Sequence, residues 1–184
     1  MKYIIFNKPF NILSQFKDVV GKENLKKYIN IKEKPKAVGR LDFDSEGLLI
    51  LTNDIEFSNY ITHPANKIEK EYHAQLEGSP THNDLQPIFS GIQTKSDYYK
   101  PAFAELMNEP NYLWERNPPI RFRKSIPTSW LKLILREGKN RQVRKMTAHI
   151  KYPTLRLVRY RIGNITIEGL KPGQWREVSW RDIC

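Results

Sequence analysis

A chain of 184 residues that is 39% hydrophobic and 11% aromatic is long enough to bury one real core and too apolar to stay disordered. It has no apolar run near the roughly 20 residues a bilayer crossing needs, its start "MKYIIFNKPF" is too short for a signal peptide, and its lone cysteine, Cys184, excludes an intrachain disulfide. A soluble cytoplasmic protein is therefore expected. The net charge of +11 is local: residues 114–161 carry 14 Lys/Arg against 2 Asp/Glu. Trp114, Phe122, Trp130, Tyr152 and Tyr160 lie among those cations. Clustered cations displace counterions from a polyanion and flat side chains stack on bases, so a nucleic-acid partner is favoured over a merely solvated face.

In chain order, "YIIF" (3–6) reads as a buried strand closed by "NKP", and "NILSQF" as a second short strand. Residues 23–29 have Leu25, Tyr28 and Ile29 on one stripe and predict a helix. "GLLILTND" (47–54) is an apolar strand, and 55–61 a helix stopping before His63-Pro64. "KEYHAQLEG" (70–78) alternates, with Tyr72, Ala74 and Leu76 on one face and Glu71, His73 and Gln75 on the other. Residues 81–91 suggest a helix with Thr81 as N-cap and Gly91 past its end, against which Pro87 counts. Strands around 98–106 and 130–136 flank a Pro-rich connector, "NPPIRFRKSIPTS" (117–129). The turn "EGKN" leads into a helix, "RQVRKMTAHI", and strands return in "LRLVRYRIGNITIEG" and "WREVS". Strands outnumber helices and turns are short. The expected fold class is therefore α+β, a mixed and mostly antiparallel sheet with flanking helices, in one globular unit.

The stretch "GRLDFDSEGLLILTND" (39–54) sets Asp42, Asp44 and Glu46 at alternate positions before an apolar run. "DFDSEG" fits the opening of a calcium loop, but the twelfth position is Asn53 rather than a bidentate glutamate, and "GLLILT" reads as a strand. Zinc has no Cys pair and no ligand spacing among His63, His73, His82 and His149. A glycosidase-like pair of acids stays open, because sequence spacing does not fix the distance between them. The remaining reading is one chemical carboxylate with two structural neighbours. Asp44 and Ser45 would tighten the turn through backbone hydrogen bonds, and Asp42 would stand on a glycine-preceded loop leading into a rigid strand. On the residues alone, Asp42 is as much an ordinary turn residue as a catalyst.

With "NKP" (7–9), "KEYHAQLEG" (70–78) and "EGKNRQVRKMTAHIKYPTLRLVRYRIG" (137–163) in that order, "GRLDFDSEGLLILTND" resembles the conserved blocks of the RsuA/RluB/RluE/RluF group of RNA pseudouridine synthases. "LWERNPPIRFRKSIPTSWLKL" (113–133) is similar to the RluE branch, which acts on 23S ribosomal RNA. The resemblance covers nearly the whole chain. It implies a pseudouridine synthase fold with a central catalytic cleft, isomerisation of uridine without cofactor or metal, and a substrate that is 23S rRNA or a large-subunit precursor. Because "YIIFNKP" begins at residue 3, the S4-type domain of several relatives has no room, and one catalytic domain over 1–184, acting as a monomer without membrane, is expected.

By resemblance, Asp42 is the catalytic carboxylate, Arg144 of "RQVR" sustains its charge, and Tyr72 stacks on the flipped base. Arg40 resembles a residue that helps displace that base, and Leu157 or Val158 would wall the pocket. Arg121, Arg123, Lys124, Lys139, Arg141, Lys145, Arg156, Arg159 and Arg161 are then expected to bind RNA backbone, which positions a substrate without reading its sequence. Two rivals stand beside this reading. One is a non-catalytic RNA-binding or ribosome-assembly factor on the same fold, and the other a nucleoside or glycoside hydrolase pairing Asp42 with Glu46.

Overall fold

The apolar run after the three acids lies at the heart of the molecule. In the computed structural model, which describes residues 1–33, 35–120 and 125–183, every residue of Glu46–Thr52 is buried. A strand covered on both faces needs an unbroken apolar sequence rather than an alternating one, and "GLLIL" supplies it. Nine strands make the main sheet among the described residues. They are β1 (Tyr3–Lys8), β2 (Lys36–Val38), β3 (Glu46–Thr52), β4 (Lys70–Glu77), β5 (Phe103–Met107), β6 (Thr128–Leu135), β7 (Thr154–Ile162), β8 (Ile165–Thr166) and β9 (Trp175–Glu177). Their order is β9-β1-β3-β7-β4-β6-β5, with β2 added to β3 and β8 to β7. Pairing is antiparallel except where β3 meets β7, with Val158 opposite Glu46 and Arg159 opposite Gly47. The mixed, mostly antiparallel sheet is the one the sequence predicts.

Among the described residues four helices pack on it: α1 (Ile55–Thr62), α2 (Gln86–Ser90), α3 (Gln142–His149) and α4 (Trp180–Ile183). Asp54 caps α1 by accepting the Phe57 N–H at 3.0 Å. Phe57 and Ile61 of α1 and Ile183 of α4 bury against Ile5, Leu48, Ile50 and Ile162. Ile88 of α2 and Val143 and Met146 of α3 bury against Tyr72, Ala74, Leu76, Leu131, Leu133 and Leu157. The opposite face of β1 and β3 packs Ile4, Phe6, Leu49 and Leu51 on Leu25 and Ile29.

Three local expectations differ from the structure. Residues 23–29 form only a single 3₁₀ turn, Leu25–Lys27, because the Asn24 side chain caps it by accepting from the Lys26 N–H and its apolar residues are consumed by the β1–β3 core. "NILSQF" reduces to Ile12–Leu13, paired with Glu23–Asn24. Thr81 is not an N-cap; its N–H and hydroxyl both donate to Asp84 at 2.7 Å, and a 3₁₀ turn (Asn83–Leu85) runs into α2. Pro87 then falls in the first turn of α2, where its missing N–H costs no intrahelical bond.

Candidate active site

Loop 39–45 is fixed from below before any chemistry is considered. The Ser14 hydroxyl donates to the Leu41 carbonyl at 2.8 Å and accepts from the Leu41 N–H at 3.2 Å. The Phe43 carbonyl accepts from Asn11 N–H at 3.0 Å and from Lys8 Nζ at 3.5 Å. Lys8, of "NKP", also donates to the carbonyls of Pro9 and Ile12, each at 2.8 Å, and burial pushes its pKa down to about 7. The loop closes on itself where Ser45 N–H reaches the Asp42 carbonyl at 3.1 Å.

The three acids do not share a task. Glu46 is 1% exposed and accepts Nε and Nη2 of Arg156 at 2.9 and 3.0 Å and the Trp114 indole N–H at 2.8 Å. Asp44 accepts both terminal nitrogens of Arg141, at 2.7 and 2.8 Å, and those bonds first of all hold its pKa below the usual carboxylate range. Asp42 alone keeps its carboxylate in the cleft, with Arg141 Nη1 at 3.8 Å. A hydrolase that pairs Asp42 with Glu46 therefore loses its second acid to a buried ion pair. Asp44 tightens the loop, though through arginines rather than backbone bonds. The Ser45 hydroxyl, expected to do likewise, is buried on the cleft wall without a partner among the described residues.

The cleft itself has a volume of about 340 Å³. It lies between the end of α1 and the start of α3, over β4 and β7. Leu41, Tyr72, Leu135, Val143 and Leu157 give it an apolar lining, while Arg40, Lys70, Lys139, Arg141 and Arg159 bring cations. Of the two candidates for the apolar wall, Leu157 lines the cleft. A cleft of this size and mixed lining suits one nucleotide.

Arg144 stands one step from its expected place. Its guanidinium donates to the Asp44 carbonyl at 2.7 Å and the Thr154 carbonyl at 3.2 Å, with Nε 3.4 Å from the Asp44 carboxylate. It anchors the loop two residues beyond Asp42, and burial lowers its pKa. Arg141, assigned to RNA backbone from sequence, is the cation nearer Asp42. Lys139 and Arg40 lie at the cleft, Lys139 donating to the Tyr98 carbonyl at 2.8 Å. Lys145 is outside the cleft, 3.5 Å from Asp97.

Three of the expected backbone-binding arginines are corrected. Arg156 is 5% exposed and its charge is matched by Glu46; Arg161 is bound by Glu71 at 3.0 Å and Glu69 at 3.2 Å. Arg159 is 3% exposed on the cleft floor. All three sit on β7, a central strand whose side chains meet other layers before they reach solvent. Arg121, Arg123 and Lys124 lie outside the described residues. Sequence reasoning missed Lys70, although its place two residues before Tyr72 in an alternating strand puts it on the same face.

A family model described as RNA pseudouridylate synthase matches residues 2–149. Over 178 residues the chain is 52% identical to "Ribosomal large subunit pseudouridine synthase E" of Vibrio vulnificus, covering 97% of this chain and 75% of that protein. A protein of the same name from Xanthomonas campestris pv. campestris is 42% identical over 94% of this chain and 93% of its own length. "Ribosomal large subunit pseudouridine synthase B" of Bacillus subtilis is 32% identical over 98% of this chain and 69% of its own. The fold is that of a solved pseudouridylate synthase, with a TM-score of 0.81 at 24% identity over 99% of this chain and 72% of that one. The chain belongs to the RNA pseudouridylate synthase family.

Proposed function

We propose that this chain isomerises a uridine of ribosomal large-subunit RNA to pseudouridine, with Asp42 as the reacting carboxylate. The observation that carries the reading is the division of labour among the motif's three acids. Asp44 and Glu46 are spent on arginines, and Asp42 remains in the cleft that Tyr72 lines. The relatives' names support ribosomal large-subunit RNA as substrate, and 23S rRNA or a large-subunit precursor is the form proposed.

The target uridine leaves its stack at a cost of a few kcal/mol. Stacking on Tyr72 and contact with Leu157 and Val143 offset that cost. With the ribose beside Asp42, the N1–C1′ bond breaks, the ring turns, and C5 joins C1′. The C5 proton is lost and N1 gains one, so mass and electrons are conserved. Arg141 and Arg144 serve by fixing Asp44, which holds loop 39–45 in one geometry while the base moves. Arg40 and Lys139 at the cleft, with Lys145, Arg121, Arg123 and Lys124 of the basic segment, receive phosphates. The protein works as a monomer, a single catalytic domain, in the cytoplasm where ribosomes are assembled.

The test incubates the protein with unmodified rRNA transcript and maps pseudouridine chemically. The expected result is conversion at a defined uridine, abolished by Asp42→Asn with RNA affinity kept within a few fold. No conversion by the natural chain refutes the function and favours the non-catalytic RNA-binding rival; full activity of Asp42→Asn refutes the role of Asp42.

A further inference from the structure

Two cations close the inner wall of the cleft, and among the described residues neither is paired with a carboxylate. Lys70 is 8% exposed and its Nζ donates to the Ile68 carbonyl at 3.1 Å. Arg159 donates to two more carbonyls, Leu48 at 2.8 Å and Gly39 at 3.2 Å. Four other arginines around the cleft are matched by acids: Arg156 by Glu46, Arg161 by Glu69 and Glu71, Arg141 and Arg144 by Asp44. Burial, then the charge of Arg159, hold the Lys70 ammonium below its usual range, whereas Lys8, also buried, feels Glu46, Asp44 and Asp42. A buried charge without a counter-charge is costly. Two of them on one wall mark where an electron-rich group is received.

Their position says which part of the nucleotide that is. Lys70 precedes Tyr72 by two residues on the same face of β4, about 7 Å along the strand. Arg159 is the register partner of Tyr72 on β7. The pair therefore flanks the ring on which the base stacks, while the more exposed Arg40 and Lys139 remain for phosphate.

We propose that Lys70 is a further catalytic residue of the isomerisation: seated beside Arg159, it binds the uracil carbonyl oxygens and stabilises the negative charge the ring carries while detached from the sugar. This rests on the isomerase reading above. When N1–C1′ breaks, the bonding electron pair leaves with N1 and spreads over O2 and O4. The same pair returns through C5 to form the new bond to C1′, after which C5 loses its proton and N1 is protonated. The ring bears its full charge only between those two events. A fixed cation there favours that state over bound uridine, which is what accelerates a reaction.

The test compares the natural chain with Lys70→Met in single-turnover reactions on rRNA transcripts carrying either uridine or 5-fluorouridine, whose fluorine stabilises the ring anion. The readout is the rate at which the nucleoside joined through C5 appears in digests, with its dependence on enzyme concentration: pseudouridine from uridine, and from 5-fluorouridine, whose C5 has no proton to lose, the C5-linked product that keeps its fluorine and takes up water at C6. On uridine RNA the saturated rate is expected to fall about 100-fold with the half-saturating concentration kept within a few fold. On 5-fluorouridine RNA the deficit should shrink to about 10-fold or less, because the better leaving group needs less help. Thermal unfolding should show Lys70→Met at least as stable as the natural chain, since an unmatched buried charge is gone. Equal deficits on both RNAs, a loss confined to half-saturation as for a phosphate contact, or a lowered Tm overturns the proposal. Failure of the natural chain to convert uridine overturns instead the function on which it rests.

Discussion

Glu46→Leu is expected to cost the fold about 3–5 kcal/mol, the range measured when one partner of a buried ion pair is removed. The structure puts this site at the severe end of the possibilities. Side-chain exposure is 6% for Arg156 and 1% for Glu46, so water cannot replace the lost acid. Three donors are stranded at once: Arg156 Nε and Nη2 and the Trp114 indole N–H. At about 2–4 °C per kcal/mol for a chain of this length, Tm should drop by roughly 6–20 °C. The assay is urea unfolding followed by tryptophan fluorescence, with the slope m unchanged and the midpoint lowered. The double variant Glu46→Leu/Arg156→Met removes the stranded charge and should recover most of the loss, because apolar replacement of a buried pair is often neutral or better. A single variant within about 1 kcal/mol of the natural chain, or a double variant no better than the single, would refute the reasoning.

Gly47→Ala should lose at least about 3 kcal/mol in the same assay, since an added Cβ would stand 2.4 Å from the Arg159 carbonyl oxygen at a φ of +106°. Asp44→Asn tests the clamp on the loop by pH. The folded pKa of Asp44 is depressed by Arg141, so its contribution is present above the ordinary carboxylate value near ~3.9 and is lost as pH falls through the folded value. The variant should flatten the stability profile below about pH 4, and an unchanged acid limb would remove the clamp. Arg40→Ala and Lys139→Ala should each weaken RNA binding and reduce the slope of log K against log salt by about 0.7–0.9. An unaltered slope would put the phosphates elsewhere.

Much of the frame was readable because it rests on local rules. An unbroken apolar run gave β3, strict alternation gave β4 and its two faces, and the His63-Pro64 step bounded the end of α1. The 3₁₀ turn at Leu25–Lys27 was not readable as such, because its brevity is set by the β1–β3 core rather than by its own residues. Residue types also identified Asp42 as a candidate, yet only as one acid among three. What separates them is which arginine each meets, and those partners lie about a hundred positions away: Arg141 for Asp44 and Arg156 for Glu46. Sequence proximity to the basic segment could not tell a cation that reaches RNA from one already satisfied by an acid.

The sharpest case is the run of arginines on β7, and the reason is a bulge. Plain alternation would set Leu157, Arg159 and Arg161 on one face. Leu157 and Arg159 do line the cleft, opposite Ala74 and Tyr72. The register then slips between Arg159 and Arg161, so that Arg161 comes opposite Glu71 and pairs with it on the far side, where Tyr160 stacks on His73 at 4.8 Å. A single extra residue re-aims every side chain beyond it. Without that slip Arg161 would face the same side as Arg159 and add another cation to the cleft, beside Lys70. With it, Arg161 is neutralised by Glu69 and Glu71 while Lys70 and Arg159 are left unmatched. The β3–β7 crossing at Gly47 fixes the other side of the same strand against loop 39–45. The distribution of charge around Asp42 is thus decided by backbone register, which alternation and composition do not encode.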